Sequence, residues 1–155
     1  MKKLLLLSFF SMFISYAYAD CNLKMDFNKS DHAKYEKYHG GPNEHLFTGE
    51  RYDWLCEKFK QAHAEIRIVA QSTVMQNKSI GWAALSVKDL DTGIATTEYG
   101  YRVTNIDSYA SQDRADQLMV GAILQGLQEW DTVDVALQSL ENERKRTRAF
   151  LVKQK

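Results

Sequence analysis

The chain has 155 residues and a mass of 17.9 kDa, with 20 basic and 20 acidic side chains and a formal net charge of zero. That length leaves room for one domain and excludes most two-domain layouts. The neutral total conceals an uneven layout. Residues 20–143 carry 12 basic and 20 acidic groups, and the last twelve residues carry six basic groups (Arg144, Lys145, Arg146, Arg148, Lys153, Lys155) with no acid among them. An acidic body with a basic end excludes a nucleic-acid-binding surface of the usual kind, so no nucleic acid is expected. The basic end reads as a solvated helical tail at 144–155, with contact to anionic headgroups only weakly indicated.

The N-terminus differs from the rest. Lys2 and Lys3 precede an apolar run from Leu4 to Ile14, and Ala17-Tyr18-Ala19 sets small residues at the two positions a signal peptidase reads. The run is too short for a membrane span, which needs about 20 residues. Residues 1–19 are therefore expected to be a signal peptide cut after Ala19, and the mature chain to be periplasmic or secreted. Only Cys21 and Cys56 supply thiols, and an oxidising compartment pairs them. Such a bridge stabilises the fold by about 4 kcal/mol in the chain-entropy model.

Residues 22–49 are irregular, apart from a short helix expected from Ser30 or Asp31 through Tyr38, capped by Ser or Asp and ended by Gly40. Gly40-Gly41-Pro42-Asn43 marks a turn. From Thr48, the best N-cap, Tyr52, Leu55, Cys56, Phe59, His63, Ile66, Val69 and Ala70 recur at helical steps. With no Gly or Pro before Gly81, the pattern favours one long amphipathic helix reaching about residue 75. The competing reading is a strand over 65–75, where Ile66, Ile68, Ala70, Ser72 and Val74 alternate.

Residues 80–87 read as a strand, and Asp89-Leu90-Asp91-Thr92-Gly93 as a tight turn with Gly93 in the left-handed region. The return strand, 94–104, sets Thr97, Tyr99, Tyr101 and Val103 on one face. Asp89 and Asp91 read as turn formers, since no EF-hand loop surrounds them. A helix follows, with Asp107, Ser108 and Ser111 as cap candidates and Ala115, Leu118, Met119, Ala122, Ile123, Leu127 and Trp130 as its apolar stripe. Asp131 can cap a further helix through Leu140. The expected architecture is a single α+β domain, 20–143, with an antiparallel hairpin of two or three strands, C-terminal helices and one disulfide. The open edges of a lone hairpin need covering by the 65–75 segment, by a helix, or by a second copy in a homodimer.

No catalytic motif, metal site or cofactor signature emerges. His32, His39 and His45 lie near Asp31, Glu36 and Glu44, but at spacings unlike those of metal ligands. Tyr52 and Trp82 fall on apolar faces and are expected in the core. Tyr35, Tyr38, His39, His45 and Trp54 lie off the periodic stripes, so they form the expected binding patch: a loop held by the bridge against the first long helix. The profile is similar to that of small exported inhibitors, including immunity proteins that neutralise envelope-active toxins. The leading expectation is thus a binding or inhibitor protein acting through a protein interface, its acidic body suiting a basic partner. The alternatives are a small envelope hydrolase or metal-dependent enzyme using the 32–45 loop, and an envelope-assembly component.

Overall fold

The computed structural model describes residues 21–153. The expected signal peptide and its cleavage site lie outside the described residues. Strand β1 (Met25–Asp26) leads to helix α1 (Lys29–Tyr38), a 3-10 turn (Gly41–Leu46) and helix α2 (Gly49–Gln61). Three long strands follow, β2 (Ala64–Met75), β3 (Lys78–Asp89) and β4 (Ala95–Asp107), then helices α3 (Gln112–Glu129) and α4 (Val133–Lys153). The sheet runs β1-β2-β3-β4, with β1 parallel to β2 and the other pairs antiparallel. The expected α+β class stands, and the hairpin takes its three-strand form, a meander of β2, β3 and β4 with the short β1 added at the edge.

Local chemistry accounts for the helix starts. Asn28 caps α1 by accepting from the Asp31 amide, so the helix starts ahead of the expected caps Ser30 and Asp31. Thr48 caps α2 through Arg51, and Ser111 caps α3 through Arg114. Thr48 was the expected cap of its helix, and Ser111 is the one of the three candidates Asp107, Ser108 and Ser111 that serves.

The long helix does not reach residue 75. It stops at Gln61, and His63 adopts φ 51°, a left-handed residue that turns the chain into β2. A second such residue, Asn77 (φ 62°), closes the turn between β2 and β3. His63 is neither Gly nor Pro, so the end of α2 leaves no mark in the pattern, whereas Asn77 is of a type that favours the left-handed region and marks its turn. The strand reading of 65–75 is the correct one, and β2 covers the β3 edge that a lone hairpin leaves open.

Alternate residues Ala64, Ile66, Ile68 and Ala70 of β2 and Ala83, Leu85 and Val87 of β3 are buried. They share one face, and α3 lies directly on it: a Cβ added at Gly81 falls 2.0 Å from the Met119 amide nitrogen. Phe59 of α2 meets Trp130 beyond the end of α3 with ring centroids 6.1 Å apart, and Val133, Ala136 and Leu140 of α4 complete the core. Fully burying Phe59, Leu55, Ile66 or Leu127 contributes about 1.5–3 kcal/mol apiece.

Strand β4 departs from simple alternation. Leu85 faces Tyr101 while Val87 faces Thr96, so a bulge inserts extra residues over 97–100. Tyr99 takes φ 60°, and its carbonyl turns to accept from the Trp130 indole (3.0 Å) and the Thr132 hydroxyl (2.9 Å). The expected common face of Thr97, Tyr99, Tyr101 and Val103 is therefore broken: Val103 is buried, whereas Tyr99 is 47% exposed.

Candidate interaction surface

The residues expected to form a binding patch fall in different places. Tyr35 is buried, its ring 5.2 Å from both Phe27 and His39, and burial pushes its phenol up to about 12. It belongs to the core, correcting its expected surface role. Tyr38 is half-buried and donates to Asp113 in the first turn of α3. His39 is exposed and stacks on Tyr35, and His45 is exposed on the 3-10 turn. Trp54, 37% exposed, lies between Arg51 and Lys58, whose cationic groups sit 4.3 and 5.3 Å from the indole ring centre.

Arg51 also donates to the Leu127 carbonyl at the far end of α3 (3.0 Å). Tyr38 and Trp54 thus sit at opposite ends of a helix, separated along it by about 20 Å at 1.5 Å per residue. They do not make one patch. The bridge between Cys21 and Cys56 is present as expected and ties the start of the described chain to the middle of α2. Tyr52 reinforces it, accepting from the Leu23 amide (3.1 Å) and donating to the Cys21 carbonyl (3.2 Å).

The polar clusters build structure. His32 faces Glu36 at 3.8 Å, and no group of three His, Cys, Asp or Glu among the described residues is arranged to hold a metal ion. Ser72 of β2 donates to Asp116 of α3 and accepts from Lys34 of α1 (2.9 Å). Burial works to raise the Asp116 carboxyl, but hydrogen bonds from Ser72, Gln112 and Lys34 outweigh it and leave the group below the usual range. A nucleophilic serine needs a base to take its proton. Here that proton points at Asp116, which Lys34 already pairs at 3.2 Å, so the cluster joins three elements.

A cavity of about 260 Å³ beside the disulfide has Leu23, Cys56, Phe59 and Leu90 in its lining, with Lys24, Lys60 and His63 among its polar groups. Next to Leu90, where β3 enters the β3–β4 turn, Asp89 is almost fully buried against Arg144. The α4 helix runs unbroken through residue 143, so the first residue of the expected tail is fastened to the domain.

The sheet face opposite α3 is open and displays apolar side chains. Strand register sets its side chains in rows: Arg67 beside Ser86; Val69, Ala84 and Arg102; Gln71, Trp82 and Thr104; Thr73, Ile80 and Ile106; Met75 beside Lys78. Val69 is 46% exposed, Met75 57% and Ile106 60%. Trp82, expected in the core, is half-buried in the middle of this open face. Sequence reasoning missed the surface because reading β2 as helix removed one of its three strands. The alternation from Arg67 to Met75 was the signal that marks it. No helix among the described residues is long and apolar enough to cross a membrane. In comparisons with family models, curated proteins and solved structures, the chain matches none.

Proposed function

We propose that the chain is an exported binding protein, of the kind represented by small periplasmic or secreted inhibitors, and that its open sheet face is the surface it presents to a protein partner. The observation that carries this reading is the one-sidedness of the sheet. One face is closed by the helices, while the other displays Val69, Met75 and Ile106 around Trp82. Antiparallel sheets exposed on one side ordinarily carry polar residues there, and a contiguous apolar surface marks an interaction site. Export is supported by the positive and apolar segments of residues 1–19 and by the Cys21–Cys56 bridge, which suits an oxidising compartment. The enzymatic alternative loses ground because His32, His39 and His45 do not converge and Ser72 lacks a free base.

Site-directed photo-crosslinking in the producing cell tests the proposal. A photoreactive residue at Thr104, exposed on the open face, is expected to form one discrete adduct, and the same residue at Trp54 none. The protein in that adduct should bind the purified mature chain and lose binding when Val69 is changed to Glu. Adducts at position 54 alone, or unchanged binding by Val69→Glu, overturn the proposal.

A further inference from the structure

We infer that the open sheet face is complementary to an acidic protein surface, with Arg67 and Arg102 as its two anchoring groups. This rests on the reading of that face as the interaction surface, and it reverses the partner charge that the acidic composition of the chain implies. Among the described residues, Arg114, Arg144 and Arg146 each pair with a carboxylate, and Arg51 is spent on two backbone carbonyls. Arg67 and Arg102 are exposed and make no ion pair or side-chain hydrogen bond among the described residues.

Their placement has a definite geometry. Arg67 on β2 and Arg102 on β4 lie one row apart with β3 between them, about 12 Å Cα to Cα from standard strand spacings. The β3 residues between them are Ala84 and Ser86, both small, and Ser86 is buried between the neighbouring strands. Val69 shares a row with Arg102, and Trp82 sits one row beyond. An aromatic and aliphatic centre edged by arginine is the composition of a protein interface, and guanidinium recognises carboxylate through two parallel hydrogen bonds. The carboxylates on this face, Asp26 and Glu65, are already held by Lys88 at 3.0 and 2.9 Å, and Lys78 adds a further cation at the hairpin end. This face carries Arg67, Arg102, Lys78 and Lys88 against Asp26 and Glu65, so a second copy laid on it brings two surfaces of like net charge together, and an acidic partner fits better than self-association.

The test uses isotope-labelled mature chain, two synthetic peptides and one vesicle. One peptide alternates Glu with Leu and Phe, the other replaces each Glu with Lys, and the vesicle contains phosphatidylglycerol and phosphatidylcholine in equal parts. The Glu peptide is expected to shift the amides of Arg67, Val69, Ala84, Arg102 and Thr104, and to weaken about tenfold between low and high salt. Arg67→Glu with Arg102→Glu should abolish that binding, and Arg67→Gln with Arg102→Gln should weaken it with the melting temperature nearly unchanged, because only the charge reversal sets a like charge beside Asp26. Equal or tighter binding of the Lys peptide, shifts confined to other surfaces, no binding of either peptide, or preferential binding to the vesicles overturns the inference. A Thr104 adduct that survives the double charge reversal defeats the acidic-partner inference alone. Absence of a Thr104 adduct from the wild-type sequence in the cell, with its Glu-peptide binding intact, defeats the proposed function alone.

Discussion

Arg144 grips Asp89 with two parallel bonds, Nε to Oδ2 and Nη2 to Oδ1, each 3.0 Å. The same guanidinium donates to the carbonyls of Ala62 (2.9 Å) and His63 (3.0 Å), where α2 gives way to β2. Asp89 in turn accepts from the Asp91 amide and the Thr92 hydroxyl, fixing the turn before Gly93 (φ 70°). One side chain of α4 thus secures two chain reversals. Arg144→Met leaves the Asp89 carboxylate buried with only its turn bonds, and breaking such a pair costs about 3–5 kcal/mol. Chemical denaturation of the purified variant measures it, and a loss below about 1 kcal/mol refutes the clamp.

The same pair sets an acid limit. Arg144 beside Asp89 holds its carboxyl well below the usual carboxylate range, against the opposing effect of burial. A carboxyl depressed in the folded state contributes stability that is full above its unfolded value near pH 3.9 and is lost as the pH falls below it. Wild-type stability should therefore decline steeply below about pH 4. Asp89→Asn should start lower at neutral pH and decline less over the same acid range. Parallel pH–stability curves for the two proteins contradict this assignment.

The junction at His63 shows which parts of the fold were legible. Thr48, Ser111 and the Asp89–Gly93 turn carry side-chain chemistry that marks a boundary whatever surrounds it. His63 and Asn77 hold left-handed backbone without glycine, and in His63 the carbonyl bond from Arg144, distant in sequence, fixes the bend. A tertiary contact of that kind leaves no local pattern. The cost carries through to the site: with 65–75 read as helix, the open face lacks its third strand, and the row of Val69, Ala84 and Arg102 cannot be assembled from the sequence. The pairing of Cys21 with Cys56 needed only a count of cysteines.

The left-handed turn at His63 makes its own prediction. A β-branched residue is strained at φ 51°, and a glycine is not. His63→Val should lose about 1–2 kcal/mol relative to His63→Gly. The exposed pairing of the His63 ring with Asp91 at 3.2 Å is absent from both variants and cancels in the comparison. Equal midpoints for the two in urea show that the bend is not strained.

The disulfide closes a separation of 35 residues that contains α1, the 3-10 turn and the first half of α2. Replacing both cysteines by Ser should cost about 4 kcal/mol, chiefly by freeing the unfolded chain. Reduction of the wild type should reproduce that loss. Because β1 follows Cys21 closely and pairs with β2 through only Met25 and Asp26, amide exchange at Ile66, which donates to the Lys24 carbonyl at 3.0 Å, should rise before exchange in α3.

Two glycines separate backbone contact from side-chain contact. At Gly81 an added Cβ meets the Met119 nitrogen at 2.0 Å and the Leu118 carbonyl carbon at 2.3 Å, both belonging to the α3 main chain. No rotamer change relieves that overlap. The helix must lift from the sheet, opening the contact with Ala83 and Leu85 that lies at the centre of the core. At Gly126 the added atom meets Leu85 Cδ1 at 2.4 Å, the end of a side chain that can turn, and an alanine there gains about 1 kcal/mol of helix propensity. Gly81→Ala should therefore destabilise by about 3 kcal/mol or more, whereas Gly126→Ala should stay within about 1 kcal/mol of wild type. Denaturant midpoints with unchanged slopes measure both. If Gly81→Ala is as stable as Gly126→Ala, α3 does not rest on the strand backbone, and the division of the sheet into a closed and an open face fails with it.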